Sequence, residues 1–392
     1  MFLFVLHTLL DCSFSATTGY LFTGDKKREF VGEIEPVMDV VDTSGEERSL
    51  SVVVMTTISD EMPLGVKRAS ELTNWQVVVA GDFDGPNGDW FSSGQLVAYS
   101  IERQNSFSIL STLLPLRSFG RKNVAYLHAI GNGAEQILDL DDDNIIDTES
   151  FNLLNYITLL VSASKIYNPY KGRAKANVWP RGFPLSFIKQ ENKYEQSNSS
   201  CSPLVTQLLA NTDPDVDAIY RLTSELPLNF SHFPYDIGLS IGTFAPFNAQ
   251  STLFRKKSFW ALYLPVTVNG RVSDIWRGYV AQRIGWHLLE SSKDCFLSFS
   301  GQIVIEHKRN PHNLMKDFSA ESDLYLKTEA LLDFLAKWQP QTEQLTLPQI
   351  MISLYIELFE RGFVEKEEIQ FVKIWLQELH RLGYTYPLVR SL

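Results

Sequence analysis

Four carboxylates fall within five positions of this 392-residue chain: Asp139, Asp141, Asp142 and Asp143, directly behind the apolar pair Ile137-Leu138. Like charges this close repel one another, so the cluster calls for solvent or a cation, and a hard divalent ion such as Mn2+ or Mg2+ is the natural match. A calcium loop of the EF-hand type is excluded. The position that must be Gly is Asn144, and the twelfth, which must be Glu, is Ser150. What remains is an Asp-x-Asp pair that holds a divalent ion against a diphosphate, or a plain solvated acidic loop. Two registers are available, Asp139 with Asp141 and Asp141 with Asp143; the second is preferred.

The elements that must position this cluster can be read from periodicity. Residues 51–58, Ser-Val-Val-Val-Met-Thr-Thr-Ile, form a β-branched run of buried-strand length. A helix is expected over 64–73, a second strand over 75–80 and a third over 95–101, with the turn-rich loop 81–88 between the last two. A helix over 122–136, with Val124, Leu127, Ile130 and Ala134 at helical spacing, leads into a short strand, 137–140, that ends at the acids. This alternation predicts an α/β fold with a mostly parallel sheet, in which ligands lie outside the carboxyl ends of the strands. The aromatic-rich stretch 254–263 reads as core. From about residue 321 three amphipathic segments, 324–338, 347–360 and 366–382, predict a C-terminal helical unit, with Gly362 at a helix end.

Composition narrows the class. Acidic residues outnumber basic ones by 46 to 35, for a formal charge of −11, and no long Lys/Arg run is present, so nucleic acid is not an expected partner. The longest uncharged apolar run, residues 1–10, is too short to span a bilayer. Followed by Ser13 and Ser15 it reads as a secretory signal over 1–16 without the usual basic start, or as a buried strand; residues 17–48 read as a polar leader. Three cysteines allow at most one bridge, with Cys201 and Cys295 the candidate pair. Two sequons, Asn198-Ser-Ser and Asn229-Phe-Ser, suit a lumenal protein.

Several blocks carry a family resemblance. Trp75-Gln-Val-Val-Val-Ala-Gly-Asp82, the stretch from Gly120-Arg-Lys-Asn to Gly133-Ala134, Ile137-Leu-Asp-Leu-Asp-Asp-Asp143, Val178-Trp-Pro-Arg-Gly-Phe-Pro-Leu185, Asp215-Val-Asp217 and Asp274-Ile-Trp-Arg-Gly-Tyr279 resemble the STELLO family of Golgi glycosyltransferases. Ser258-Phe-Trp-Ala-Leu-Tyr-Leu-Pro-Val266 and the tail blocks Glu360-Arg-Gly-Phe363 and Trp375-Leu-Gln-Glu-Leu379 look similar too, so the resemblance runs from about residue 50 to the C-terminus. The triple Asp, the Arg-Gly-aromatic-Pro stretch and the Asp-x-Trp-x-Gly stretch are also similar to the UDP-arabinopyranose mutases.

The resemblance implies a GT-A-like, Rossmann-type nucleotide-sugar-binding domain over 49–320 with the helical extension 321–392. It further implies UDP-sugar chemistry, a divalent metal, residence in the Golgi or secretory lumen (or secretion from it), a glycan or protein acceptor and, in plants, association with a glycan synthase. Asp141 and Asp143 would hold Mn2+ or Mg2+, with His307 as a late third ligand. Arg121 and Lys122, at the start of the helix before the acidic strand, would reach the phosphates or the uracil edge, with Asp82 and Asp142 beside the nucleotide; a solvated helix end is the alternative for the two cations. Asp274 would act as the base that takes the acceptor proton, or as a helix N-cap. Arg181 would carry a transient sugar as in the mutases, clamp the diphosphate or pack on Trp179. Asp215 and Asp217 would line the same cleft or order a loop.

Overall fold

The computed structural model describes residues 50–390, except 87–89, 91–94, 150, 152–156, 163–164, 175–176, 193, 291–293, 309–312 and 342–344, and the side chains of 157–162 and 194–200. The expected signal segment and polar leader, and the side chain of Asn198, lie outside the described residues. The rest belongs to a compact unit spanning 47–392.

Its opening strands are hydrophobic on both faces because both faces are covered. In β1 (Ser51–Thr57), β2 (Trp75–Gly81) and β4 (Gln136–Leu140), side chains alternate across the sheet. Val52, Val54, Val78, Ala80 and Ile137 enter one core, and Val53, Met55, Val77, Val79, Leu138 and Leu140 enter the other. Such doubly buried strands read as continuous apolar runs. With β3 (Leu96–Tyr99) they form a parallel ladder in the order β3-β2-β1-β4. The chain winds outward from β1 to β3 and then returns to the far side of β1, so a crevice opens between the carboxyl ends of β1 and β4.

Beyond β4 the sheet is mixed, although parallel pairings remain the majority across it as expected. Strand β11 (Ser251–Arg255) runs antiparallel to β4 and to β8 (Val205–Gln207), followed by β12 (Leu297–Phe299), β10 (Asp236–Leu239), β6 (Ile157–Ser162) and β7 (Tyr194–Ser200). A smaller sheet, β5 (Asn144–Ile146), β13 (Ile305–His307) and β9 (Ala210–Asn211), closes over the second core with helix α1 (Leu64–Ala69). Cys201 and Cys295 are joined in a disulfide, 94 residues apart in sequence.

Two helices are shorter than periodicity predicts, each for a local reason. In α1 the Ser70 hydroxyl donates to the Val66 carbonyl and Asn74 takes a positive φ of 65°, so the turn stops at Ala69. Following α2 (Ile101–Phe107) and α3 (Ile109–Leu113), helix α4 (Lys122–Gly131) ends where Gly133 adopts φ 83°, a left-handed exit that glycine allows. Further on come α5 (Ala218–Thr223), α6 (Gly270–Gly285), α7 (Leu314–Ala320), α8 (Ser322–Lys337), α9 (Leu347–Glu360) and α10 (Glu367–Arg381).

The C-terminal helices share the main core and are not a separate lobe. Trp375 of α10 lies 5.9 Å from the Tyr263 ring and donates from Nε1 to the Trp260 carbonyl at 3.1 Å. Glu368, fully buried, accepts from the backbone N–H of Val266 and of Thr267, at 3.0 and 2.7 Å, and from the Tyr263 hydroxyl. Removing that carboxylate strands three buried donors, so Glu368→Ala is expected to lower unfolding free energy by about 3 kcal/mol or more in denaturant titration. A loss below about 1 kcal/mol would contradict this account.

His128 of α4 is held neutral by burial, with its pKa pushed down to about 4. The folded value lies below the unfolded one of about 6.5, so its stabilising effect is complete above that pH and is lost as pH falls toward 4. On the order of 3 kcal/mol should disappear between pH 7 and pH 4, and His128→Gln should flatten that part of the denaturation profile.

Candidate functional site

The acidic loop Asp141–Asp143 follows β4 and sits at the crevice, next to the end of β1. Asp142 receives the Thr57 side-chain hydrogen bond across the β1/β4 boundary, while burial raises its pKa. The loop is gripped from three sides. Asn144 N–H bonds back to the Asp141 carbonyl at 3.2 Å, Lys308 N–H reaches the Asp143 carbonyl at 3.1 Å, and Asp141 N–H reaches the Gln250 carbonyl at 3.3 Å. Gly65 of α1 packs so closely that a Cβ there would lie 2.4 Å from the Asp142 carbonyl oxygen and 2.6 Å from that of Asn144.

The four acids are not equivalent. Asp139 is fully buried, 2.7 Å from Lys122 Nζ and 3.0 Å from Arg277 Nη1, so its charge is consumed inside the core. The Asp141 side chain keeps 34% exposure and lies 3.0 Å from Lys122 Nζ. Its pKa is raised to about 6, first by desolvation and further by the Asp143 charge, against the pull of Lys122. Asp143 Oδ2 lies 3.2 Å from Nε2 of His307, and the other ring nitrogen, Nδ1, bonds the Asp213 carbonyl at 2.5 Å. Burial alone would lower the imidazole, but the Asp143 carboxylate and the Asp213 carbonyl hold it above its ordinary pKa. His307 reaches the loop because β13 pairs antiparallel with β5, in a register that sets His307 opposite Asn144.

Asp141, Asp143 and His307 fit a divalent ion by donor chemistry, two carboxylate oxygens and a nitrogen whose partner nitrogen is already oriented by a carbonyl. Among the described residues, no three such groups are gathered into a ready ligand shell. Asp143 and His307 instead face each other, and Asp141 leans on Lys122.

The expected phosphate cations occupy other posts. Lys122 is fully buried, with Nζ 2.7 Å from Asp139 and hydrogen-bonded to Asp141 and to the Ala249 carbonyl at 2.9 Å, so its charge is spent inside the protein. Arg121 is buried too, donating to Gln104 Oε1, Ser111 Oγ and the Leu114 carbonyl. Asp82 accepts from the backbone N–H groups of Phe83, Arg117 and Ser118 at 2.7, 2.8 and 2.9 Å. It therefore ties the end of β2 to the segment before α4, and the solvated helix end expected as the alternative is absent as well.

Arg181 and Asp274 come together, but with each other. The Arg181 guanidinium forks onto Asp215 through Nε and Nη2, both at 2.9 Å, and onto Asp274 through Nη1 at 3.0 Å and Nη2 at 2.8 Å. Both carboxylates are buried, and Asn248 Nδ2 adds a bond to Asp215 at 2.6 Å. The space beside this cluster, bounded by Tyr170, Arg181, Asp215 and Asn248, is about 10 Å³, room for a water and not for a sugar. As they stand, both Asp274 oxygens and the Arg181 guanidinium are engaged with each other and with Asp215. Asp274 is not an N-cap either: α6 starts four residues earlier, where Asn269 Oδ1 accepts from Arg271 N–H at 3.0 Å. Asp217 takes the loop-ordering alternative, capping α5 at Tyr220 N–H and bonding Trp179 Nε1.

Thr57, Gln207, Asn248 and Arg277 are the polar residues around these clusters that motif reading did not single out. Arg277 stood within the Asp-Ile-Trp-Arg-Gly block, three residues after Asp274, and helical spacing could have put both on one side of α6.

A parallel ladder with acids at its switch point and helices packed on the sheet defines a GT-A-like α/β protein. Comparison with known proteins agrees. Residues 271–391 match the family model of STELLO glycosyltransferases. The chain is 28% identical over 354 residues to "Probable glycosyltransferase STELLO1" of Arabidopsis thaliana, and 28% identical over 355 residues to "Probable glycosyltransferase STELLO2". Each alignment covers 83% of this chain and 44% of the relative, so the chain spans less than half the length of the curated relatives it matches.

The two kinds of cluster should part under mutation. Arg181→Ala leaves two buried carboxylates uncompensated and is expected to cost about 3–5 kcal/mol, whereas Asp141→Asn should stay within about 1 kcal/mol of the parent. Thermal or chemical unfolding measures both. Equal losses would mean that the acidic loop is a structural strut like the Arg181 cluster.

Proposed function

We propose that this chain is a metal-dependent glycosyltransferase that moves a sugar from a UDP-sugar to a glycan or protein acceptor in the secretory pathway, in the Golgi lumen. The observation that carries the reading is the position of Asp141 and Asp143 at the β1/β4 switch point, where open α/β sheets bind ligands. The match of residues 271–391 to STELLO glycosyltransferases supports it from an independent direction.

Asp141 and Asp143 would hold Mn2+ or Mg2+ through their carboxylates, with His307 as a further nitrogen ligand. When bound, such an ion supplies charge neutralisation for the departing diphosphate. Lys122 keeps Asp141 in place and leaves the phosphates to the metal. Asp142, bonded to Thr57, fixes the loop against β1 so that the donor is aligned before it reacts. The acceptor base is not Asp274 in the arrangement described, because Arg181 occupies both its oxygens.

A mutase-like reading needs Arg181 as a sugar carrier, and its double ion pair counts against it. A purely scaffolding role through the C-terminal helices is disfavoured by Glu368 and Trp375, which spend those helices on the core.

Calorimetric titration of UDP with and without Mn2+, on the parent and on the Asp141→Ala/Asp143→Ala variant, tests the proposal. Binding to the parent should strengthen by at least about tenfold with Mn2+, and the variant should lose that gain. UDP release from one member of a UDP-sugar panel then names the donor. Binding indifferent to both metal and substitution would overturn the metal site, and no release from any UDP-sugar would overturn the transferase.

A further inference from the structure

An open groove of about 400 Å³ lies along the small sheet, lined by the residues that follow the acidic loop. Ile145, Asn211 and Glu306 stand side by side there through the β5-β13-β9 register, and Asp147, Thr212 and Asn229 complete its polar wall. No expected site residue lines this groove.

Asn229 begins the sequon Asn229-Phe230-Ser231. Phe230 is buried: its ring lies 4.9 Å from Tyr170, and its N–H bonds Asn211 Oδ1 at 2.8 Å. With the middle residue anchored inward, Asn229 and Ser231 turn outward and are both exposed, so the amide and the hydroxyl that glycan attachment requires are presented to solvent together. The Cys201–Cys295 bridge is the kind of bond that forms and persists in the oxidising compartments where that attachment occurs.

We infer that Asn229 carries an N-linked glycan whose first sugars lie in the groove, against Asn211, Thr212 and Glu306. The occupant follows from the geometry, since Asn229 is itself part of the groove lining and any chain built on its amide starts inside it. The lining offers carboxylate acceptors from Asp147 and Glu306 and amide donors from Asn211, which match sugar hydroxyls, beside aliphatic side chains such as Ile145 and Ile303, which can pack on the apolar faces of sugar rings. Attachment forms an N-glycosidic bond between Asn229 Nδ2 and the anomeric carbon of the first sugar as the bond from that carbon to the diphosphate oxygen of a lipid-linked donor breaks; the lipid diphosphate leaves with the electron pair, and the amide nitrogen gives up one proton to a base of the transferring enzyme. The inference rests on the secretory placement proposed above.

The test expresses the full chain in eukaryotic cells in two forms, with its own N-terminus and behind an added secretion signal. Peptide mass mapping then reads position 229, and thiol titration reads the Cys201–Cys295 bridge. In the signal-bearing form Asn229 should be modified, with modification lost in Asn229→Gln and in Ser231→Ala and retained in Ser231→Thr. Enzymatic release of the glycan should be at least about tenfold slower from folded than from unfolded protein, because the groove covers the first sugars. Modification of the signal-bearing form alone would sustain the site and show that residues 1–16 do not act as a secretion signal. An unmodified Asn229 in secreted, disulfide-bonded protein would overturn the inference, and equal release rates would overturn the groove as its seat.

Discussion

Asp139 is the charge on which the rest of the architecture turns. It sits in the middle of the sheet, on a strand buried on both faces, and an isolated carboxylate there would be prohibitively costly. Lys122 from α4 and Arg277 from α6 converge on it from one side of the sheet and offset that cost. A strand and two helices distant in sequence are thereby held in one geometry. The same ammonium that neutralises Asp139 also reaches Asp141, so the core ion pair fixes the first residue of the acidic loop. The loop inherits its position from the core.

Other buried charges repeat this pattern at longer range. Arg181 joins the segment after Val178 to Asp215 and to α6. Glu321, fully buried, takes the Arg271 guanidinium, the Ala218 N–H at the start of α5 and the Tyr325 hydroxyl, while Glu368 takes the segment before α6. Breaking such a pair leaves an uncompensated charge in a low-dielectric interior, so the partners must meet for the fold to be stable. Many of the acids and cations with a motif-like look serve this purpose.

What distinguishes Asp141, Asp143 and His307 is that they lie at the rim of the crevice. Asp141 keeps solvent on one side, and its carboxyl is raised by desolvation first and by the Asp143 charge in addition, against the pull of Lys122.

Sequence alone was enough for the opening strands, because double burial writes itself into Val52 to Met55 and Val77 to Val79 as unbroken apolar runs. It was also enough for the acids at the end of β4 and for the three C-terminal helices, whose apolar faces recur at helical spacing. The antiparallel insertion of β11 between β4 and β8 was beyond it, since five residues of Ser-Thr-Leu-Phe-Arg carry no record of which strands they will join. The division of labour among the charges was equally hidden. Lys122 and Arg181 look in sequence like phosphate ligands, and Asp274 like a base; the carboxylate partners lie 17 and 19 residues away for Lys122 and 34 and 93 for Arg181. Residue type and spacing determine which chemistry a side chain is capable of, but the packing of distant segments decides whether its lone pairs and protons are spent inside the protein or left for a ligand.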